Sequence, residues 1–167
     1  MLHLYILSDL HLRRAGIIPY VIDERNNLLI LLGVSKDKGL YSDLGGRREN
    51  FESTLDCALR EYGEESRYCL PIDINHTSDV YITQKNGNDD QAILFVELPF
   101  ENWIMDINRK FKLTKPKNKY EDEMKMLIWV PYSDFFQIPN EKLSYSLQYL
   151  KSRIKNDMKT CKCVLKF

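Results

Sequence analysis

The stretch from Gly45 to Tyr68 constrains the fold of this chain more than any other. It reads GGRRENFESTLDCALREYGEESRY, which is a pair of glycines, an amphipathic segment and a cluster of glutamates. Glu61, Glu64 and Glu65 stand at i, i+3 and i+4, so on a helix their carboxylates share one face. Three like charges at that spacing repel one another, whereas a divalent cation would attract all three, because Mg²⁺ and Mn²⁺ prefer carboxylate oxygens. The stretch therefore predicts a metal site on a helix.

The size and charge of the chain favour one domain and point to no particular partner. The 167 residues, taken as a single domain 1–167, are enough to bury a core. Lys+Arg and Asp+Glu both number 24, so the net charge is zero. No apolar run approaches the roughly 20 residues that span a bilayer, and the first residues do not resemble a secretory signal. The four cysteines lack paired zinc spacing, so we expect reduced thiols in a cytoplasmic protein.

The elements before the glutamates predict a sheet covered on both faces. The segments AGIIPYVID and LLILLGVS are apolar and β-branched, and the turn ERNN between them predicts a hairpin. Their continuous apolar runs favour a sheet that lies between helices. A short strand over Leu40–Leu44 leads to the double glycine, and helical periodicity covers Phe51–Glu65, with Asn50 or Ser53 as its cap. The expected fold class is α/β, an α/β/α sandwich with a mixed sheet.

The second half of the chain adds strands and helices to the same domain. Residues 79–85 and 91–98 predict strands joined by the turn NGNDD, and Phe100–Lys112 predicts a short helix. The stretch 107–119 carries six basic residues and no acid, and the acids Glu121, Asp122 and Glu123 follow it. A strand in MLIWV precedes Pro131, and an amphipathic helix over about 140–159 ends the domain.

One other short motif suggests metal chemistry. ILSDLHL, with Asp9 and His11, resembles the first motif of calcineurin-like metallophosphoesterases. That family needs further Asp, Asn and His ligands, and none of its later patterns occurs here. We expect Asp9 and His11 to belong to an ordinary strand and turn.

The glutamate stretch closely resembles the Nudix box, GX5EX7REUXEEXGU, in which U is a large aliphatic residue. Gly46, Glu52, Arg60-Glu61 and Glu64-Glu65 match the motif at every spacing. The flanking segments AGIIPYVI, SDLGG and IWVPYSDF lie where Nudix domains have strands, so the resemblance covers most of residues 15–137. The departures are Tyr62 and Tyr68 at aliphatic positions and Arg67 at the last glycine. A left-handed backbone at Arg67 would cost roughly 1 kcal/mol relative to glycine.

The resemblance implies hydrolysis of a nucleoside diphosphate linked to another group, with Mg²⁺ or Mn²⁺ as cofactor. It implies that Glu61 and Glu65 bind the metal, with Glu64 joining them, and that the backbone carbonyl of Gly45 also binds it. Arg60 would orient the carboxylates, and Glu52 would partner Arg60 or the metal network.

The general base and the substrate contacts stay open at this stage. The base is either a box glutamate such as Glu64 or an acid on a distant loop, for which Glu121 and Glu123 are the candidates. Arg47, Arg48 and Gly46 follow or form the glycine turn and are candidates for binding substrate phosphate. The ordinary alternative for each of these charged residues is a solvated surface.

Three function classes follow. The first is a Nudix pyrophosphohydrolase that acts on a nucleotide-type small molecule. The second is an mRNA cap hydrolase that uses the basic stretch 107–119 to bind RNA phosphates. The third is a Nudix-fold nucleotide-binding module without turnover, which is disfavoured because every charged position of the box is present.

Overall fold

The computed structural model describes residues 7–85 and 88–160 of the chain. The strands are β1 (Arg14–Ile22), β2 (Leu28–Ser35), β3 (Tyr41–Ser42), β4 (Leu44–Arg47), β5 (Thr77–Lys85), β6 (Asn88–Glu97) and β7 (Met124–Pro131). The α-helices are α1 (Thr54–Glu65), α2 (Ile107–Leu113), α3 (Tyr132–Phe135) and α4 (Tyr145–Thr160). Short 3₁₀ helices span Ile74–His76, Asn102–Asp106 and Asn140–Lys142.

The sheet is organised around β1. The strand order is β3-β2-β1-β6-β5, with β7 on β2 and β4 on β1. β1 pairs with β6 in parallel and, along its other edge, with β4 and then β2 in antiparallel. The first half of β1 lies beside β4, so Gly16 pairs with Gly45 and Ala15 pairs with Gly46. The sheet is therefore mixed, and β1 brings the double glycine into it.

Two apolar clusters fill the two faces of the sheet. Successive residues of β1 enter opposite clusters, Ile17 on one face and Ile18 on the other, as the alternation of a strand requires. The first cluster includes Cys57, Ala58 and Tyr62 of α1 together with residues of α2. The second includes residues of α3 and α4. Helices thus cover both faces, which confirms the predicted α/β/α sandwich.

The glutamate-bearing helix starts later than the sequence predicts. It begins at Thr54 rather than Phe51, because Ser53 forms a capping box with Asp56: the Ser53 hydroxyl accepts from the Asp56 N–H, and the Ser53 N–H donates to the Asp56 carboxylate. Phe51 has φ 70°, which no helix contains. Leu59, one of the apolar residues that give Phe51–Glu65 its helical periodicity, is exposed.

Several other boundaries differ from expectation. Leu7–Asp9 are helical where we expected a strand, and residues 1–6 lie outside the described residues. The double glycine lies within β4 rather than beyond a short strand. The turn expected in NGNDD includes residues 86–87, which lie outside the described residues. The helix expected over Phe100–Lys112 is divided into a 3₁₀ helix and α2.

The C-terminal helix was expected over about 140–159 and begins instead at Tyr145. Asn140 starts a separate 3₁₀ helix, which ends at Lys142 before a short extended segment. The buried side chains of α4 follow the predicted helical spacing at Leu147, Leu150 and Ile154. Lys151 is also buried, because its ammonium donates to the carbonyl of Ile138 at 2.6 Å.

Two further observations concern membrane-spanning helices and the cysteines. Within residues 7–85 and 88–160, no helix combines the length and the apolar character needed to cross a membrane. Cys57 and Cys69 are free and buried. Burial raises the pKa of the Cys57 thiol to about 11, so it stays protonated at neutral pH. Cys161 and Cys163 lie outside the described residues.

Candidate active site

The site is built where α1 lies against the double glycine of β4. A Cβ on Gly46 would lie 2.5 Å from each carboxylate oxygen of Glu61, and a Cβ on Gly45 would lie 2.5 Å from the carbonyl oxygen of Ala15. Neither glycine has a positive φ. The sequence therefore needs glycine at these positions for close approach, and not for unusual backbone angles. This approach places Glu61 directly over the glycine pair.

Arg60 joins the other charged residues of the box. Its guanidinium donates to both carboxylate oxygens of Glu52, at 2.6 and 3.1 Å, to Glu61 at 2.8 Å and to Glu64 at 3.1 Å. It also donates to the backbone carbonyl of Arg47 at 3.0 Å. These bonds raise the pKa of Arg60 and, through the hydrogen bond to Glu52, lower the pKa of Glu52. Arg60 therefore contacts three carboxylates of the box, a position that suits the orienting role expected of it.

Glu65 is the most buried carboxylate of the box. It is 4% exposed, and one of its oxygens accepts from the N–H of Gly45 at 2.6 Å. Its pKa is raised well above the ordinary value, first by burial and then by repulsion from Asp43. The pKa of Glu61 is also raised, chiefly by burial, although Arg60 opposes the shift.

Asp43 and Arg14 form a buried ion pair behind Glu65. Asp43 is fully buried, and its two oxygens accept from the Arg14 guanidinium at 2.7 and 3.0 Å. Asp43 also accepts from the hydroxyl of Ser146, at the start of α4, at 2.5 Å. Arg14 donates in addition to the carbonyl of Gly45 at 2.7 Å. The carbonyl that the resemblance assigns to a metal ion therefore already accepts a hydrogen bond.

The three glutamates expected to hold a metal share one end of α1, but their carboxylates point to different partners. Glu61 and Glu64 face Arg60, whereas Glu65 faces Gly45. Among the residues that the structure describes, no group of three or more His, Cys, Asp or Glu side chains is arranged to hold a metal ion. The chemistry of the donors nevertheless fits a hard divalent cation, since two carboxylates with raised pKa values lie beside the glycine pair.

Two clefts adjoin these residues. One, of about 460 Å³, is lined by Glu65 and Glu123 together with Lys36 and Lys38. The other, of about 610 Å³, is lined by four arginines, which are Arg13, Arg14, Arg47 and Arg48. The clefts share Ser42 and Ser144 in their linings. A long ligand thus has room on both sides of the box.

The two acids that were candidates for a distant general base, Glu121 and Glu123, lie in different surroundings. Glu121 is 4% exposed, and its carboxylate accepts from the N–H of Lys117 at 2.8 Å. Glu123 is exposed, lines the same cleft as Glu65, and adds to the repulsion on Glu61. The Glu123 carboxylate makes no hydrogen bond or ion pair with the described residues. Glu121 thus stabilises a loop, and Glu123 is the acid that the fold brings to the box.

The fold was compared with known proteins. No protein-family model matches the sequence, and no curated protein matches it. A solved structure of a Nudix hydrolase from M. smegmatis, RenU, is similar with a TM-score of 0.59 at 15% identity, over 93% of this chain and 90% of that chain. The chain has the Nudix fold. The Ap4A hydrolase of C. elegans, solved as a binary complex, is similar with a TM-score of 0.52 at 13% identity, over 90% of this chain and 100% of that chain. The MutT protein of Methanosarcina mazei Go1 gives a TM-score of 0.50 at 15% identity, over 89% and 95% of the two chains.

Arg67, the main departure from the Nudix box, has a structural explanation. Its φ is 53°, so the backbone is left-handed as the box glycine would allow. Its side chain is buried and donates to the backbone carbonyls of Phe111, Thr114 and Glu121 at 2.8 to 3.1 Å. The guanidinium also lies 4.0 Å from the centre of the Phe111 ring. Arg67 thus fastens the chain between α2 and β7 to the end of the Nudix helix.

The remaining candidate residues differ in what they contact and in whether they lie near the clefts. Arg47 is exposed beside the double glycine, whereas Arg48 donates to the backbone carbonyls of Leu12, Glu49 and Glu52 and so joins segments of the chain. The six basic residues of 107–119 line neither of the two clefts. Asp9 and His11 also lie outside both linings, and the His11 ring bonds to the backbone carbonyl of Glu52 at 3.0 Å.

Three residues next to the box were not among the site residues predicted from the sequence: Asp43, Arg14 and Ser146. Asp43 stands directly before Leu44 and the double glycine, in a stretch that was expected to form a short strand. A lone aspartate in a buried strand needs a cationic partner, and that requirement was the available signal. The identity of the partner was not accessible, because Arg14 and Ser146 are distant in sequence and meet Asp43 only in the folded sheet.

Proposed function

We propose that this protein is a Nudix pyrophosphohydrolase that uses Mg²⁺ or Mn²⁺ to cleave the diphosphate of a nucleotide-type small molecule. The observation that carries the proposal is the arrangement of the box: Arg60 holds Glu52, Glu61 and Glu64, while Glu65 is buried against Gly45 beside an open cleft. Buried carboxylates whose pKa values are raised are typical of functional sites.

In this proposal Glu61 and Glu65 hold the metal ion, and Glu64 and the carbonyl of Gly45 join them. A bound divalent ion would neutralise the diphosphate and lower the pKa of a coordinated water. Arg60 keeps the carboxylates aligned, because it cannot lose its proton at any working pH. Glu52 orients Arg60 through its two hydrogen bonds.

Glu123 takes a proton from the attacking water in this proposal. Its exposed carboxylate is not engaged by a cation among the described residues, whereas the Glu64 carboxylate already accepts a hydrogen bond from Arg60. The cleft that contains Glu65 and Glu123 also contains Lys36 and Lys38, which attract phosphate. Glu64 is the alternative base within the box.

The test is hydrolysis by the purified chain with Mg²⁺ and with Mn²⁺. The panel includes nucleoside triphosphates, nucleoside diphosphate sugars, dinucleoside polyphosphates and diphosphoinositol polyphosphates. One protein of the same fold is an Ap4A hydrolase, so diadenosine tetraphosphate belongs in the panel. We expect Glu65→Gln and Glu61→Gln to lower turnover on the order of a thousandfold, because each loses several kcal/mol of metal-dependent stabilisation. Unchanged turnover in both variants, with an unchanged circular dichroism spectrum, would contradict the metal assignment.

The alternative function is removal of the 5′ cap from mRNA. It is favoured by one observation, the exposure of Lys112, Lys115, Lys117 and Lys119 on a segment that Arg67 fastens to the box helix. A capped RNA in the same panel, assayed over a salt series, separates the two functions. Preference for the cap with a steep loss of rate at high salt would favour decapping over the small-molecule function.

A further inference from the structure

The arginine cleft carries more positive charge than the fold requires. Arg13, Arg14, Arg47 and Arg48 line its space of about 610 Å³, and Asp90 is the acid in that lining. Serine hydroxyls, the amide of Gln91 and the ring of Tyr145 complete the wall. A cleft of this volume is within the range of small-ligand sites, roughly 300 to 1,000 Å³.

The partners of the four guanidinium groups show which charges are available. Arg14 is neutralised by buried Asp43 at 2.7 Å. Arg48 donates to three backbone carbonyls, which carry no net charge, so its own charge is not neutralised. Arg13 is 85% exposed and lies 3.6 Å from Asp90, a distance and an exposure at which an ion pair contributes little. Arg47 makes no side-chain hydrogen bond or ion pair with the described residues.

The arginine cleft is contiguous with the box. Arg47 is the last residue of β4, one position after the Gly46 that packs against Glu61, and its side chain lines the arginine cleft. Arg14 donates to the carbonyl of Gly45, and Ser42 and Ser144 line both this cleft and the one that contains Glu65. The arginine cleft therefore adjoins the cleft that contains Glu65 along Ser42 and Ser144.

We propose that the arginine cleft binds the phosphate groups that lie beyond the scissile anhydride, so that the substrate carries a chain of at least three phosphates. The proposal rests on the proposed function and adds the substrate class. Guanidinium groups bind phosphate oxygens with paired, charge-assisted hydrogen bonds, and Arg47 and Arg13 have donors to spare. A substrate with only two phosphates has both of them in the scissile anhydride, so no phosphate would reach these cations.

The first test measures anion binding without turnover. Inorganic tripolyphosphate and pyrophosphate are titrated calorimetrically into the full chain in EDTA, where no divalent ion is present. We expect tripolyphosphate to bind more tightly than pyrophosphate, and Arg47→Ala and Arg13→Ala each to weaken tripolyphosphate about tenfold. Arg25→Ala is the matched control, because Arg25 is exposed in the turn after β1, at the opposite end of that strand from Arg14.

Each outcome decides the proposal. Equal affinity for the two anions, or an equal loss in Arg25→Ala, would overturn it. An uncapped oligoribonucleotide is the third ligand; if its affinity falls tenfold in Arg47→Ala as well, the cleft binds a nucleic-acid backbone and the proposal is wrong. If the anion results are as expected and no substrate is hydrolysed with Mg²⁺ or Mn²⁺, the proposed function fails while the arginine cleft stands.

Discussion

At the scale of single residues, Arg67 illustrates how an unfavourable backbone is retained for what its side chain does. Asparagine or glycine suits a left-handed position better than arginine. Only a long side chain with several donors, however, can reach the carbonyls of Phe111, Thr114 and Glu121 from the end of α1. The residue that breaks the Nudix pattern therefore supplies a contact that glycine cannot make.

We expect Arg67→Gly to destabilise the fold by about 2 kcal/mol. Three hydrogen bonds worth about 1 kcal/mol each are lost, and about 1 kcal/mol is recovered because glycine relieves the left-handed backbone. Arg67→Ala loses the same bonds without that relief, so it is the matched control and should be less stable by about a further 1 kcal/mol. Urea unfolding measures both variants. An Arg67→Gly protein as stable as the wild type would show that the side-chain contacts contribute nothing.

The residue scale also shows what a single sequence can reveal. The glycine that the Nudix box has at the position of Arg67 raised the question of a left-handed backbone there, and the structure has one. The hydrogen bonds of Arg60 to Glu61 and Glu64 could also be anticipated, since these partners are close to it in sequence. The pairing of Arg14 with Asp43 was not predictable, because Asp43 lies between β3 and β4 and meets Arg14 only through the register of β4 on β1.

At the scale of elements, the segment between α2 and β7 sorts neighbouring acids into different roles. Residues 118–121 form a turn in which the Asn118 side chain accepts from the N–H groups of Tyr120 and Glu121. This turn directs the Glu121 side chain inward to the N–H of Lys117. Glu123 lies just before β7, where the chain enters the sheet beside the box. Sequence alone could not separate them, since both belong to one run of acids.

We expect Glu123→Gln to lower kcat about a hundredfold, because a positioned general base contributes at least that factor. Its stability should match that of the wild type, since the carboxylate is exposed. Glu121→Gln is the control and should show the reverse: near-normal kcat and a loss of about 1 kcal/mol, because a charged acceptor of a buried N–H becomes neutral. Steady-state kinetics and urea unfolding are run on both. A larger kcat loss in Glu121→Gln would place the base in the turn.

Element boundaries were the least predictable part of the fold. Helical periodicity in Phe51–Glu65 continues through residues that the capping box of Ser53 excludes from the helix. The C-terminal helix shows the same effect, since an apolar pattern that includes Leu143 starts before the helix does. Periodicity records which residues face the core, and Leu143 faces the core without being helical.

At the scale of the whole molecule, the carboxylates with raised pKa values make stability depend on pH. The pKa values of Glu65 and Glu61 are raised above their ordinary value of 4.5, chiefly by burial. A carboxyl whose folded pKa is raised binds its proton more tightly in the folded state, so stability falls as pH rises from that ordinary value through the folded pKa. Glu52 acts in the opposite direction, because its lowered pKa removes stability only as pH falls below 4.5.

We therefore expect the metal-free protein to melt at a higher temperature at about pH 5 than at about pH 7.5. Added Mg²⁺ should raise the melting temperature at pH 7.5 more than at pH 5, since it binds the ionised carboxylates. Scanning calorimetry in EDTA and in Mg²⁺ measures this. Glu65→Gln cannot ionise at that position and is the control, in which the pH dependence should be reduced. A metal-free melting temperature that rises with pH would contradict the sign.

The pairing of the strands in the sheet could be predicted only in part from the sequence. The hairpin of β1 and β2 follows from local sequence, and so does the covering of both faces by helices. The parallel pairing of β1 with β6 joins residues far apart in the chain, for example Ile17 and Leu94. Neither strand carries a sequence signal for that partner, because apolar β-branched residues fit many neighbours equally well.

Asp43 lies between residues of the sheet and residues of the two helical layers that cover it. It accepts from Arg14 on β1 and from Ser146 at the first turn of α4, and it lies against the box through Glu65. The helix on one face of the sheet is thereby connected to the glutamates on the other. Local opening of the first turn of α4 would free one oxygen of Asp43 and admit water to the Arg14 pair. We therefore expect the first turn of the C-terminal helix and the box to open together, although among the described residues no apolar cluster contains them both.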